Sequence, residues 1–134
     1  MKILAVDDCA INCKLLQACL GRYGDVEVAS SGNQAIEMAR DAMAAGTYYH
    51  LICMDLNMPF MNGHTALQAI RELERTTGAA RATAFMITAS SCPDDMAKAI
   101  MDGECDDYFV KPVTAKRLET LLNKYGLSGT SVER

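Results

Sequence analysis

Short apolar runs alternate with stretches of helical period along almost the whole chain. Lys2–Val6 reads as a first strand, and Ala10–Tyr23 as a helix with Ile11, Leu15, Leu16, Cys19 and Leu20 at helical spacing before the stop at Gly24. A short strand over Val26–Ala29 follows. Ser31-Gly32-Asn33 then opens a second helix, carrying Ile36 and Met38 towards Met43 and ending at Gly46. Tyr49–Met54 is the third strand. A helix from His64 to Arg75 places Ala66, Leu67, Ile70 and Leu73 on one side, and Gly78 ends it. Ala84–Thr88 is the fourth strand. Pro93 precedes a helix with Met96, Ala97, Ile100 and Met101, stopped at Gly103. Tyr108–Lys111 is the fifth strand, and Ala115–Tyr125 a last helix using Leu118, Leu121 and Leu122.

Strands that alternate with helices imply a parallel sheet covered on both faces. The predicted fold is α/β, a flavodoxin-like doubly wound (βα)5 unit with a five-stranded parallel sheet in the order 2-1-3-4-5. In that order the first and third strands are neighbours, and ligands bind beyond their carboxyl ends. A domain over residues 1–126 and a short tail over 127–134, too short for an output domain, complete the expected organisation.

Bulk composition narrows the function classes. The chain has 134 residues, enough for one domain with a core that needs no staples. Net charge is -4 and the lysines and arginines are scattered, which argues against direct nucleic-acid binding. No apolar stretch approaches about 18 residues, so no membrane insertion is expected. The strand pattern starts at Lys2 and leaves no room for a signal peptide; a cytoplasmic location is the expectation. The six cysteines (Cys9, Cys13, Cys19, Cys53, Cys92 and Cys105) are therefore read as reduced, semi-apolar fillers. Cys9 and Cys13 lack the Cys-x-x-Cys spacing or histidine that a metal site needs.

The chemistry gathers at strand ends. Asp7 and Asp8 close the first apolar run and Asp55 the third, while Thr88 and Lys111 end the fourth and fifth. A lone aspartate there is usually a helix cap, and a lone lysine a solvated surface group. Their joint occurrence at matched ends is not explained by capping. Three converging carboxylates repel one another, and a hard divalent cation, Mg2+, cancels that repulsion. With the metal and Lys111 to neutralise a phosphoryl group, Asp55 is the candidate nucleophile of an acyl phosphate.

The segments Val6-Asp7-Asp8 with the helix after it, Met54-Asp55-Leu56-Asn57-Met58-Pro59-Phe60-Met61-Asn62-Gly63, Ile87-Thr88-Ala89 and Asp107-Tyr108-Phe109-Val110-Lys111-Pro112 carry a resemblance. From Met1 to Tyr125 the chain resembles the receiver domain of two-component response regulators, of the single-domain type. The resemblance implies that Asp55 is phosphorylated from a histidine kinase or histidine phosphotransfer domain. It also implies that Asp8, Asp55 and the backbone carbonyl of Asn57 ligate Mg2+, with Asp7 acting via water. Lys111 would contact a phosphoryl oxygen across a cis Lys111-Pro112 peptide. Thr88 would swing to the phosphoryl group, and Tyr108 would move inward with it. Output would pass by protein–protein contact through the face made by the helix after Pro93, the fifth strand and the last helix, in a phosphorelay or a chemotaxis-type pathway. The chain would assist its own phosphorylation and dephosphorylation without being a turnover enzyme.

Two other classes stand beside this reading. A haloacid-dehalogenase-type aspartyl-phosphate phosphohydrolase needs a second Asp two residues after its nucleophile, and position 57 is Asn. A non-phosphorylated receiver-like interaction module tends to lose the acid pair or the lysine, and this chain keeps both.

Overall fold

The computed structural model describes residues 1–89 and 104–127. Its elements are β1 (Lys2–Val6), α1 (Ala10–Leu20), β2 (Asp25–Ala29), α2 (Gly32–Ala44), β3 (Leu51–Asp55), α3 (Gly63–Thr77), β4 (Thr83–Thr88), β5 (Asp107–Val110) and, as the fourth helix among the described residues, α4 (Ala115–Lys124). The five strands are parallel in the order β2-β1-β3-β4-β5, as the alternating pattern predicts. The helix expected after Pro93, with Met96, Ala97, Ile100 and Met101, lies outside the described residues, as do Cys92 and most of the tail.

Alternation along each strand splits the core in two. Leu4, Val6, Ile52, Met54, Ala84, Met86 and Tyr108 face α2 and α3. Ile3, Ala5, Leu51, Cys53, Phe85, Ile87 and Phe109 face α1 and α4. Polar side chains cap three helices: Ser31, Asn62 and Thr114 accept from the backbone N–H of Gln34, Thr65 and Arg117. Gly78, at φ 74, ends α3 in the left-handed conformation that suits glycine.

Packing corrects the predicted faces in several places. Ile11 and Leu15 were expected in the core, but they are exposed, and α1 buries Cys13, Leu16, Cys19 and Leu20 instead. The helix also stops at Leu20, with Tyr23 buried beyond it. In α2 the buried stripe is Ala35, Ala39 and Ala42, with Ile36, Met38 and Met43 only partly covered. In α3 the buried positions past Ile70 are Arg71 and Glu74, and Leu73 is half-buried. Tyr49 precedes β3; its hydroxyl donates to Glu27 Oε1 at 2.5 Å. The strand takes in Asp55.

The Arg71–Glu74 pair survives burial because its hydrogen bonds are filled. Arg71 Nη1 donates to Glu74 Oε1 (2.9 Å) and Ala82 O (2.8 Å), and Nε donates to Glu104 O (2.9 Å). Glu74 Oε2 accepts from Ala82 N–H at 2.9 Å. Breaking such a pair exposes an uncompensated buried charge, so both partners are needed once one is present. The pair ties the second half of α3 to the segments that lead into β4 and β5.

Candidate functional site

Strand register delivers the polar residues to one end of the sheet. Val6 pairs with Met54, so Asp7 leaves β1 beside Asp55, the last residue of β3. Asp55 pairs with Ile87, and Thr88 pairs with Val110, the residue before Lys111. The Lys111-Pro112 peptide is cis. The start of α3 presses against this end: a Cβ on Gly63 would stand 2.6 Å from the carbonyl oxygen of Asp55 and 3.0 Å from Leu56 Cα. Glycine there lets the helix begin directly after the loop.

One carboxylate oxygen from each of Asp7, Asp8 and Asp55 lies within 4.8 Å of the others. Asp7 and Asp55 are buried and Asp8 is exposed. Lys111 Nζ stands 3.7 Å from Asp55 Oδ1 and 3.9 Å from Asp7 Oδ2. Asp7 Oδ1 accepts from Cys9 N–H at 2.9 Å, and Asp55 Oδ1 from Asn57 N–H at 3.2 Å. Thr88, fully buried at the end of β4, donates its hydroxyl to Asn57 Oδ1 at 3.2 Å. Tyr108 is also buried, on the α3 side of the sheet. The sequence-predicted residues Asp7, Asp8, Asp55, Asn57, Thr88 and Lys111 thus meet around one cleft. A hollow of about 140 Å³ continues it between α1 and the end of β5, lined by Asp7, Asn12, Leu15, Leu16, Ile87, Lys111, Pro112 and Val113. A larger hollow of about 600 Å³ lies away from these residues, by Met1, Lys2, Asp25, Glu27 and Tyr48.

Burial and the negative charge of Asp7 push the Asp55 carboxyl up from 3.8 to about 6, against the Asn57 N–H and Lys111, which pull it down. One lysine does not balance the acids. An all-oxygen donor set with surplus negative charge fits a hard divalent cation such as Mg2+. The raised value also sets the sign of a pH effect. The folded chain holds a proton on Asp55 at pH values where the unfolded chain has lost it, so this contribution is full below about 4 and disappears as pH rises through about 6. Without metal, the Tm of the parent minus that of Asp55→Asn should therefore fall across this window, leaving the variant the more stable protein at pH 7.5. The difference isolates Asp55 from Asp107, where burial is outweighed by hydrogen bonds from Lys124, the Tyr108 N–H and Tyr125, and whose carboxyl is lowered. A parent-minus-variant difference that rises or stays flat in a thermal melt would contradict the assignment.

Some participants carried no sequence signal. Cys13 Sγ lies 3.2 Å from the Asp7 carbonyl oxygen and supports the turn behind the acid pair. Cys9, expected as a buried filler, is exposed at the head of α1, while Cys13, Cys19, Cys53 and Cys105 are buried and all five are free thiols. Burial pushes Cys53 up to about 12 and Cys105 up to about 11, which keeps them unreactive. His64, the residue after Gly63, brings Nε2 to 3.4 Å from Tyr108 Oη. Among the described residues no helix is long and apolar enough to cross a membrane.

A family model for the response regulator receiver domain matches residues 3–123. The chain is similar to hybrid signal transduction histidine kinase G of Dictyostelium discoideum, 36% identical over 129 residues; the match takes in 94% of this chain and 4% of that protein, so the chain spans only a small part of this relative. Among solved structures it is similar to the co-crystal of the Saccharomyces cerevisiae histidine phosphotransfer signaling protein Ypd1 with the receiver domain of its downstream response regulator Ssk1, at 29% identity and a TM-score of 0.79, covering 94% of this chain and 88% of that one. It is also similar to the receiver domain of a Pseudomonas aeruginosa sensor histidine kinase with a magnesium ion coordinated in its active-site cleft, at 26% identity and a TM-score of 0.75, covering 92% and 95% of the two chains.

Proposed function

This chain belongs to the response regulator receiver domain family, and on that premise we propose that Asp55 is its phosphoacceptor, taking a phosphoryl group from a phosphohistidine on a partner histidine kinase or histidine phosphotransfer domain. The observation that carries the reading is the convergence of Asp7, Asp8 and Lys111 on the buried Asp55 carboxylate. A structural relative solved with a histidine phosphotransfer protein supports the class of donor.

In this reading an Asp55 carboxylate oxygen forms a bond to phosphorus as the P–N bond to the donor imidazole breaks, and the imidazole leaves with the electron pair. Asp8, Asp55 and the Asn57 backbone carbonyl would hold Mg2+, with Asp7 bound through a water; when present, the ion supplies charge neutralisation for the acids and the phosphoryl oxygens. Lys111, already within 4 Å of Asp55 Oδ1, accompanies the new charge. Thr88 exchanges Asn57 Oδ1 for a phosphoryl oxygen, and the ring of Tyr108 occupies its inward seat. Position 57 offers an amide where a phosphohydrolase of the aspartyl type needs an acid, which favours a switch over a turnover enzyme. Residues 1–126 act as the receiver unit and 127–134 as a tail. Output passes by protein contact through β5, α4 and the helix expected after Pro93. The free thiols fit a reducing cytoplasm.

The test is incubation with Mg2+ and either a phosphorylated histidine phosphotransfer domain or a small acyl phosphate. One hydroxylamine-labile phosphoryl group per chain is expected, and absence of labelling from both donors would overturn the reading.

A protein donor must also rest on the rim of the cleft, because a histidine side chain reaches only a few ångströms. That rim carries exposed apolar groups: Ile11 and Leu15 on α1, and Phe60 in the loop after Asp55. Phe60 sits at φ 68 with Met61 N–H donating to Pro59 O at 2.7 Å, a turn that holds the aromatic ring out in solvent. Ile11→Glu should slow transfer from the phosphohistidine domain about tenfold, the size of one interface anchor. Its labelling by the small acyl phosphate should stay near the parent rate. Equal slowing with both donors in a stopped assay would remove α1 from the docking face.

A further inference from the structure

We propose that His64 is a positioning residue for Tyr108, holding the tyrosine ring in its inward seat between α3 and β5; this rests on the phosphoacceptor reading above for its consequence, but not for its geometry. Tyr108 pairs with Met86 across β4 and β5 and is 7% exposed. Its ring joins Met54, Met86, Ala66 and Leu67 in the core under α3. A buried phenol directs its hydroxyl to polar groups, and His64 is one that the fold brings to it. His64 Nε2 stands 3.4 Å from Tyr108 Oη. The phenol O–H donates when Nε2 carries the lone pair, and Nε2–H donates to Oη in the other tautomer, so either form of the neutral ring can satisfy the contact.

What gives this contact a role beyond packing is where His64 is mounted. It follows Gly63 directly, and Gly63 N–H donates to Leu56 O at 3.0 Å. A Cβ on Gly63 would also stand 2.8 Å from Met86 Sδ, the side chain that pairs with Tyr108 in the register. The first turn of α3 is therefore set hard against the backbone that follows Asp55. A displacement of the Asp55–Leu56 segment is carried to the imidazole, and through it to the tyrosine hydroxyl on β5. His64 is thus one side chain on a short path of contacts from Asp55 to Tyr108. The contact is long for a hydrogen bond, so its effect is modest: a preference for the inward ring of roughly three- to fivefold.

The test uses the full chain with 13C-labelled tyrosine, its five tyrosine ring signals assigned with Tyr108→Phe. Without metal or ligand, His64→Leu should shift the Tyr108 ring signals towards those of exposed tyrosines, and His64→Gln, which can still reach Oη, should restore them. Unmoved ring signals in His64→Leu, or identical shifts in Leu and Gln variants, overturn the proposal. His64→Asn, polar but too short to reach Oη, repeats the measurement should the leucine variant not fold. With Mg2+, His64→Leu should raise the half-saturating concentration of beryllofluoride roughly threefold in the parent background and leave it unchanged in Tyr108→Phe. An equal rise in both backgrounds means that His64 acts without the tyrosine, and overturns the proposal. If the parent chain itself fails to bind beryllofluoride with Mg2+, the phosphoacceptor reading falls, while the ligand-free ring signals still decide the role of His64.

Discussion

Asp55→Asn should take up no phosphoryl group from either a phosphohistidine domain or a small acyl phosphate. The amide keeps the shape of the side chain but cannot form a hydroxylamine-labile acyl phosphate. The loss should be complete: Asp7 is also buried and within 4 Å of Lys111, but one of its oxygens is taken by the Cys9 N–H and its assigned role is on the metal side, which leaves Asp55 as the acceptor. The variant must also be shown to fold. It should do so readily, since burial and Asp7 disfavour a charge at position 55 in the metal-free chain. Intact-mass measurement after incubation reads the labelling, and circular dichroism of the same sample reads the fold. Undiminished labelling of the variant would move the acceptor elsewhere and remove the basis of the proposed function.

Asp8→Ala should weaken Mg2+ binding by two orders of magnitude or so, and Asp7→Ala by about tenfold, in line with the smaller cost of disturbing a group that acts on a metal through water. The geometry gives the asymmetry a cause. Asp7 is buried, with one oxygen taken by the Cys9 N–H and the other facing Lys111 at 3.9 Å. Asp8 is exposed on the open side of the cleft, with an oxygen in the carboxylate cluster. Among the described residues it has no hydrogen bond or ion pair to give up when that oxygen turns to an ion. Titration calorimetry on both variants tests this. Equal losses, or a greater loss from Asp7→Ala, would reverse the ligand assignment.

The elements that hold the cleft were legible because their signal is local. Runs such as Ile3-Leu4-Ala5-Val6 and Leu51-Ile52-Cys53-Met54 are buried on both faces, and each ends at the first residue that chemistry requires to be polar. Helix faces were less legible where size and burial part company. In α1 the larger residues Ile11 and Leu15 point outward while Cys13 points in, and no periodicity argument that weights residues by hydrophobicity would choose the cysteine. In α2 the buried stripe is alanine, sharing one core with Ala66, Leu67 and Ile70 of α3, and small residues look neutral in a sequence. Arg71 and Glu74 read as surface charges until Ala82 and Glu104, distant along the chain, are brought up to receive them. His64 had no pattern to belong to; its meaning comes from a tyrosine two strands away. Cys9 looked like filler because cysteine is small and semi-apolar, yet the chain turns there to begin α1 and leaves it exposed.

The partition of the core by the sheet has a consequence for how this protein can change over time. Tyr108 and His64 work on the α3 side, with Met54 and Met86, whereas Leu16, Leu20, Leu118 and Leu122 pack with Phe85 and Phe109 on the other. Substitutions that share no partners contribute to stability almost independently. The buried cluster beneath α1 and α4 is then a reservoir in which robustness can be gained or lost by drift while the Tyr108–His64 side keeps its balance; the exposed faces of the two helices stay tied to donor and output contacts. A lineage of such chains can adapt to a hotter or colder cell on one face of the sheet and retune its signalling on the other.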